Sequence, residues 1–265
     1  IRSIGPLLTV GPGQSTTSSA RLFLGPKIPD VLKQVAPTFD LALNYGMMTI
    51  IARPLHWVLV KLHAITHNWG WAIVLLVILI NAIIYKLNAI QYRSSAHMRR
   101  LKPRMDALKE RFGDDKQKLQ QATMELYKAE HVNPVAGCLP VLVTLPIFFG
   151  LYELLRQSVE LRQAPFILWI HDLSQADPYF ILPVLYGIVM LAQGLMMPLT
   201  PGMGTTQQKM MRYMPAAYAV LFAFFPAGLA LYYIVNTLCR LLTMWWVYRQ
   251  VDHEQARKDA ARAKP

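Results

Sequence analysis

Tyr233, Asn236, Arg240 and Thr243 follow one another at steps of three and four, which puts them on one face of an otherwise apolar helix. Arg240 is the one formal charge in four apolar stretches, 71–84, 135–151, 179–199 and 213–247. A charge at mid-bilayer costs at least a few kcal/mol and faces a wet interior rather than acyl chains. Asn81 lies eleven residues into the first stretch counted from Gly70, and Arg240 lies eleven residues into the last counted from Leu229, so the two are expected at matching depth. Thr144 and Gln193 add uncharged polar groups to the second and third stretches. Snorkelling carries an arginine only a short way to the interface, and about nine residues separate Arg240 from the end of its stretch. The arrangement these residue types support is a hydrated pocket open to the cytoplasm, not a site that makes or breaks a bond.

Covalent chemistry finds no footing elsewhere. The sequence has no HExxH, no P-loop and no Ser/His pair placed for hydrolysis, and Gly11-Pro12-Gly13 is too weak for a nucleotide site. No acid falls in any apolar stretch before Glu153, at the end of one, which counts against a proton-coupled relay. His56, His63 and His67 share a helical face without an acidic or cysteine partner, so the reading is histidines facing solvent or headgroups; no metal and no cofactor are expected. Cys138 and Cys239 sit in apolar runs and do not suggest a disulfide framework.

The elements that carry these residues follow from composition. Of 265 residues, 54% are hydrophobic and only 16% charged, with 27 Lys+Arg against 15 Asp+Glu. A soluble domain is nearer 25% charged, and here the charges avoid the apolar stretches, which excludes an ordinary soluble enzyme and a disordered chain. The reading is an all-α membrane protein of five transmembrane helices, with a cytoplasmic helical hairpin, an interfacial amphipathic helix and a short β remnant at the N-terminus. Residues 1–26 read as the end of a β domain and 27–43 as a linker. Residues 44–68 carry the one-sided stripe Thr49, Arg53, His56, His63 and His67, the mark of an amphipathic helix lying in the interface. Transmembrane helices are expected at 69–90, 134–156, 179–198, 213–226 and 229–248, the last two parted by Pro226-Ala227-Gly228 because 213–248 is far too long for one crossing. Between them lie the hairpin 91–133, interrupted at Gly113-Asp114-Asp115, the loop 157–178 and the loop 199–212; a basic tail, 249–265, follows. The chain begins at Ile1 without a signal segment and reads as the later part of a longer protein.

Eleven Lys/Arg lie between Lys86 and Lys128, two after the third helix and five after Tyr248, against six before the first helix and two between the second and third, so the hairpin and tail are expected in the cytoplasm and 44–68 outside. Seven of thirteen methionines fall within 190–214, a soft surface suited to varied apolar partners or to gap-filling at helix ends.

Several stretches resemble the YidC/Oxa/Alb family of membrane protein insertases, in its Gram-negative branch. They are Asn68-Trp69-Gly70, Gly113-Asp114-Asp115-Lys116-Gln117, Tyr127-Lys128-Ala129-Glu130, and Asn133-Pro134 through Leu145-Pro146-Ile147-Phe148. The most distinctive run from Ser158-Val159-Glu160-Leu161-Arg162-Gln163-Ala164-Pro165-Phe166 through Trp169-Ile170-His171-Asp172-Leu173-Ser174, and from Pro226-Ala227-Gly228-Leu229 through Leu231-Tyr232-Tyr233-Ile234-Val235. The resemblance implies five core helices around a hydrophilic groove open to cytoplasm and lipid, no enzyme activity, and an inner-membrane location. It implies nascent membrane proteins as substrates, with the ribosome, Sec translocon components and a targeting factor as partners, the lipid bilayer as medium, and no small-molecule substrate. The groove residues are then Arg240, Asn81, Thr144, Gln193, Asn236 and Tyr233, and Arg99, Arg100, Lys102 and Arg104 of the hairpin are candidates for docking cytoplasmic partners. One departure stands out. The family's groove arginine sits in the first core helix, where this chain has Asn81, and the position of Arg240 is ordinarily uncharged; the charge is read as having moved across the groove. A small-solute transporter or channel is the alternative, and a purely structural partner of a larger translocon a third reading.

Overall fold

Residues 9–17, 23–25, 28–36, 48–113, 115–130, 139–197 and 205–262 are described in a computed structural model of the chain. The chain divides into two compact units, Ile1–Leu43 and Asn44–Pro265. In the first, Gln14 N–H closes a turn on Gly11 C=O at 3.1 Å, and helix α1, Pro29–Val35, begins on a proline whose missing N–H would have had no helical partner anyway. Among the described residues of 1–26 there is no strand, so the expected β remnant is not seen there.

The second unit is helical, which makes the chain all-α. Helix α2, Thr49–Thr66, stops at His67, whose backbone turns left-handed (φ 51°). Asn68 then caps α3, Trp69–Ile83, its side chain accepting from Trp71 N–H at 3.2 Å. The chain bends by 64° at Ile84 into α4, Tyr85–Phe112, so the helix expected over 69–90 ends early and the hairpin expected from 91 begins at Tyr85. Asp115 caps the hairpin's second arm, α5, Lys116–Ala129. Helix α6 covers Leu139–Gln157 and α7 covers Ile181–Met196. Helix α8 starts at Thr205, inside the expected loop 199–212, and after Ala217 tightens into a 3-10 helix, Tyr218–Phe224. Helix α9 runs unbroken from Ala227 to Arg262, so the expected tail 249–265 is helical through Arg262. By length and composition, Ala227–Arg257 is long and apolar enough to cross a bilayer, the bent α3–α4 pair passes if taken as one, and α7 is a shorter apolar helix.

Helix α9 is the axis against which α3, α4 and α7 pack. At one end Tyr92 and Ala96 of α4 close on Met244, Val247, Tyr248 and Val251 of α9, with Met196 of α7 at the edge. Outside lipid such burial is driven by water, at ~25 cal/mol per Å²; within lipid, close packing takes over and small residues decide it. Gly194 of α7 shows this, since a Cβ there would sit 2.6 Å from the carbonyl oxygen of Arg212 on α8.

Helix α2 differs from expectation in what its stripe faces. His56 and His63 turn into the protein, the first against Glu160 and the second stacked on Trp69 at 4.0 Å, while Ile50, Trp57 and Ile65 are exposed. Burial, with the nearby His67, pushes the His63 imidazole below its ordinary pKa. Arg53 and His67 of the stripe are exposed as expected, beside these apolar groups, with Lys61 lying over the Trp57 ring at 5.9 Å.

Candidate functional site

Asn81 of α3 is buried, and its amide donates to Val77 C=O and to the side-chain oxygen of Asn236 on α9, both at 2.9 Å. Asn81 was expected to share a depth with Arg240; the partner it meets on α9 is Asn236, in an amide–amide bridge. One turn further along α9 comes Arg240. Its Nε is buried without a hydrogen-bond partner among the described residues, although the side chain as a whole is only partly covered. Side chains on a helix lean toward its N-terminus, which for Arg240 is the Ala227 end of α9.

Tyr233 lies two turns above Arg240 and belongs to an aromatic layer. Its ring sits 5.4 Å from Phe148, 5.8 Å from Tyr186 and 4.7 Å from Phe222. Thr243 spends its hydroxyl on Cys239 C=O at 2.8 Å. Gln193 is half-buried on α7, and the side chain of Thr144 lies outside the described residues. Asn81 and Asn236 therefore meet directly, Arg240 and Tyr233 share a face of α9, and neither Tyr186, in contact with Tyr233, nor Arg212, whose Nε is also buried without a partner among the described residues, was anticipated. Arg212 read as a loop charge because the start of α8 has no apolar period; Tyr186 and Tyr232 gave no signal beyond being aromatic within apolar runs.

Above the aromatic layer the chain is closed by a network of backbone bonds. Leu173 N–H donates to Ala164 C=O at 3.1 Å, Phe166 N–H to Ile170 C=O at 2.9 Å, and the Asn68 amide to Phe166 C=O at 3.0 Å. This loop then caps α9, with Ala227 N–H donating to Gln175 C=O at 2.7 Å and Gly228 N–H to Leu173 C=O at 2.9 Å, which satisfies two donors that a helix start leaves open. Asp177, buried, accepts from Trp169 Nε1, Tyr179 N–H and Leu182 N–H at 2.9, 3.1 and 2.7 Å and so holds the start of α7. Gly70 has no alternative, because a Cβ there would lie 2.0 Å from the Phe166 ring. His56 Nε2 and Glu160 Oε1 meet at 3.3 Å, both largely covered. Burial alone would raise the Glu160 pKa, but the hydrogen bond and charge interaction with His56, helped by backbone N–H donors, hold it below the ordinary value.

The cationic hairpin is less free than its sequence suggests. Arg99 pairs with Asp252 at 3.1 Å and lies over the Tyr248 ring, Arg93 pairs with Glu254 at 3.2 Å, and Arg104 pairs with Glu130. Two of the four proposed docking residues are thus engaged within the chain, in half-exposed pairs of the sort worth ~0–1 kcal/mol. The side chains of Arg100 and Lys102 lie outside the described residues.

The 60Kd inner membrane protein family matches residues 61–255, and the YidC periplasmic domain family matches residues 1–58. The chain is 52% identical over 258 residues to the membrane protein insertase YidC of Laribacter hongkongensis, covering 97% of this chain and 46% of that protein. It is 50% identical over 244 residues to the YidC of Thioalkalivibrio sulfidiphilus, covering 92% and 43%. An active YidC insertase crystal structure with its first transmembrane domain resolved aligns with a TM-score of 0.63 at 30% identity, covering 83% of this chain and 53% of that one. The chain spans a little under half the length of the curated relatives it matches.

Proposed function

Because the chain belongs to the YidC family of membrane protein insertases, we propose that it inserts nascent inner-membrane proteins through a one-sided polar cleft, open to cytoplasm and lipid and shut on the outer side. The observation that carries this is the Arg240 guanidinium, its Nε unpartnered beneath an aromatic layer and a fully bonded cap. A polar or acidic flank enters from the cytoplasm and is drawn to Arg240, while the apolar segment beside it leaves sideways into lipid. At 4 Å and an effective dielectric near 20, one such charge pair is worth ~4 kcal/mol before desolvation, comparable to the cost of one charge at mid-bilayer on insertion scales. The family's activity is insertion, which requires no bond-making residue.

The cation's move from the first core helix to the last keeps its depth, and Asn81 then serves to hold Asn236 and the polar face in place. The positive-inside count supports five crossings, with α2 outside and the hairpin and the C-terminal end of α9 in the cytoplasm. Short elements support a thinned bilayer: α3 has 15 residues and α7 has 16, about 22 and 24 Å at ~1.5 Å per residue against a core of ~30 Å. The ribosome, targeting factor and Sec components are partners for the hairpin and the end of α9, where weak ion pairs can be exchanged at small cost.

Proteoliposomes holding the chain test this with a small single-span coat-like protein whose translocated flank is acidic. Insertion without ion conductance is expected. Conductance without insertion would move the protein to the transporter class, and insertion only with added translocon components would make it an assembly partner.

A further inference from the structure

A cavity of about 100 Å³ lies where the end of α6, the capping loop and the start of α9 meet. Its lining includes Leu155, Leu161, Leu173 and Leu229, all buried, together with half-buried Tyr152 and exposed Arg156. The backbone groups beside it are already spent. Gly228 N–H donates to Leu173 C=O at 2.9 Å and Leu229 N–H to Pro226 C=O at 3.0 Å, so the walls offer a guest hydrocarbon. Apolar cavities of this order stay dry and admit small hydrocarbon guests. Helices α6 and α9 run antiparallel here: Tyr152 and Leu229 both line the cavity, and one turn away Phe148 and Tyr233 meet at 5.4 Å. The cavity therefore stops at the aromatic layer on one side and has its charged rim at the Gln157 end of α6.

That rim is an ion pair. Arg156 donates to Glu153 through Nη2 at 2.8 Å and through Nε at 3.3 Å, and Gln157 Nε2 donates to the same carboxylate. A guanidinium has five donors and a carboxylate about four acceptor sites. Beyond these bonds, three donors and one acceptor site remain open among the described residues. The pair is neutral as a whole, and it matches a head group that is also neutral as a whole: an anion for Arg156 and an N–H-bearing cation for Glu153. Arginine's planar fork suits phosphate oxygens. The surface that continues from the rim is apolar. Phe149, on the α6 face of Glu153 and Arg156, is exposed, and so is Phe224, next to the lining residue Phe225. In the topology proposed above this end of α6 reaches the outer interface, where Tyr152 is at home and where charges meet head groups while apolar surface meets acyl chains.

We infer that the cavity seats part of one acyl chain of an outer-leaflet phospholipid whose phosphate rests on Arg156 and whose primary ammonium rests on Glu153, as in a phosphatidylethanolamine. The rest of the chain runs past Phe149 toward the bilayer centre. Phosphatidylglycerol brings Glu153 no cation, and the quaternary ammonium of phosphatidylcholine has no N–H to donate, so both fit less well. The site is separate from the polar face around Arg240 and takes from the insertase reading only the orientation of α6.

The test places the whole chain in phosphatidylcholine vesicles with a trace of phosphatidylethanolamine carrying a photoreactive group in the upper part of one acyl chain, and maps the labelled residues by mass spectrometry. Label is expected on the cavity residues Leu155, Leu161 or Leu229. The same photoreactive chain on phosphatidylglycerol or phosphatidylcholine is expected to label them about fivefold less, equivalent to ~1 kcal/mol. Arg156→Gln lowers cavity label from the phosphatidylethanolamine probe about fivefold, Arg156→Lys keeps part of it, and label on Ile188, exposed on α7, stays as in wild type. Label on Phe149 and Phe224 with none in the cavity overturns the inference, as does equal labelling by the three head groups. A loss in Arg156→Gln that Ile188 shares marks a purely structural arginine and overturns it, and so does cavity label that Arg156→Gln leaves unchanged. Cavity label from a photoreactive single-span substrate instead of from lipid gives the site to polypeptide and overturns it too. Insertion is not read in this assay, so the insertase reading stands or falls separately, in the proteoliposome experiment.

Discussion

The capping loop over the start of α9 and the polar face around Arg240 are made of similar material and treat it in opposite ways. In the cap, Asn68, Asp172, Asp177 and Glu160 each have partners, and the first N–H groups of α9 are taken by the loop above them. On the polar face of α9 Arg240 keeps a buried Nε unsatisfied among the described residues, as Arg212 does on α8. A polar group left unpaired away from water costs ~1–3 kcal/mol, more if charged. Such a group persists where water or an incoming ligand completes it. The capping loop thus has its polar groups paired, whereas the two arginines leave theirs open among the described residues.

The sharpest way to break that contrast is to damage the cap. Gly70→Val places atoms inside the Phe166 ring position, and overpacking of this kind costs ~1–3 kcal/mol or more; a large fall in thermal midpoint in detergent is expected, whereas Gly13→Ala, with nothing within 4 Å but a positive φ of 78°, costs less. Arg240→Ala leaves the midpoint nearly unchanged, because no hydrogen bond to its Nε is lost, and lowers insertion of acidic-flanked substrates about tenfold, equivalent to ~1.4 kcal/mol. Arg240→Lys retains part of the rate. The exchange Asn81→Arg with Arg240→Thr restores insertion if depth rather than helix identity matters.

A smaller effect separates the amide bridge from the charge. Asn81→Ala strands the Asn236 oxygen and is expected to cost ~1–3 kcal/mol of stability, measured in denaturant, with a loss of insertion well below that of Arg240→Ala. Smaller again is the cap's acid response. Glu160 is held below its ordinary value of 4.5, so its contribution is present above that pH and is lost as pH falls through the lower folded-state value. Wild type should lose stability faster than Glu160→Gln on acidification below about 4.5, read by thermal melts across pH. Least of all, Arg99→Ala removes a half-exposed pair with Asp252 and is expected to shift stability by no more than ~1 kcal/mol.

Much of the cleft was legible because its signals are local. The shared face of Tyr233, Asn236 and Arg240 and the break at Pro226-Ala227-Gly228 follow from helical periodicity and a count along the chain. The cap was not legible, because its bonds join residues that only the fold brings together, such as Asn68 to Phe166 and Gly228 to Leu173. His56 was read as facing solvent because Glu160 lies in another element, and Arg99 as free for docking because Asp252 is 153 residues away. The bend at Ile84 has no glycine or proline to announce it; there the apolar run gives way to Lys86, and the chain turns where its composition changes rather than at a helix breaker. Tyr218–Phe224 read as ordinary helix, and its tightening to 3-10 follows from tertiary packing of Phe222 between Tyr186 and Tyr233.

The most direct measurement is labelling of Gln193→Cys by a membrane-impermeant thiol reagent in oriented vesicles, with Cys138 and Cys239 replaced by serine and Arg240 intact. The account predicts rapid labelling from the cytoplasmic side and none from the outer side. Labelling from the outer side, or from neither, would contradict a watery cleft closed by the cap.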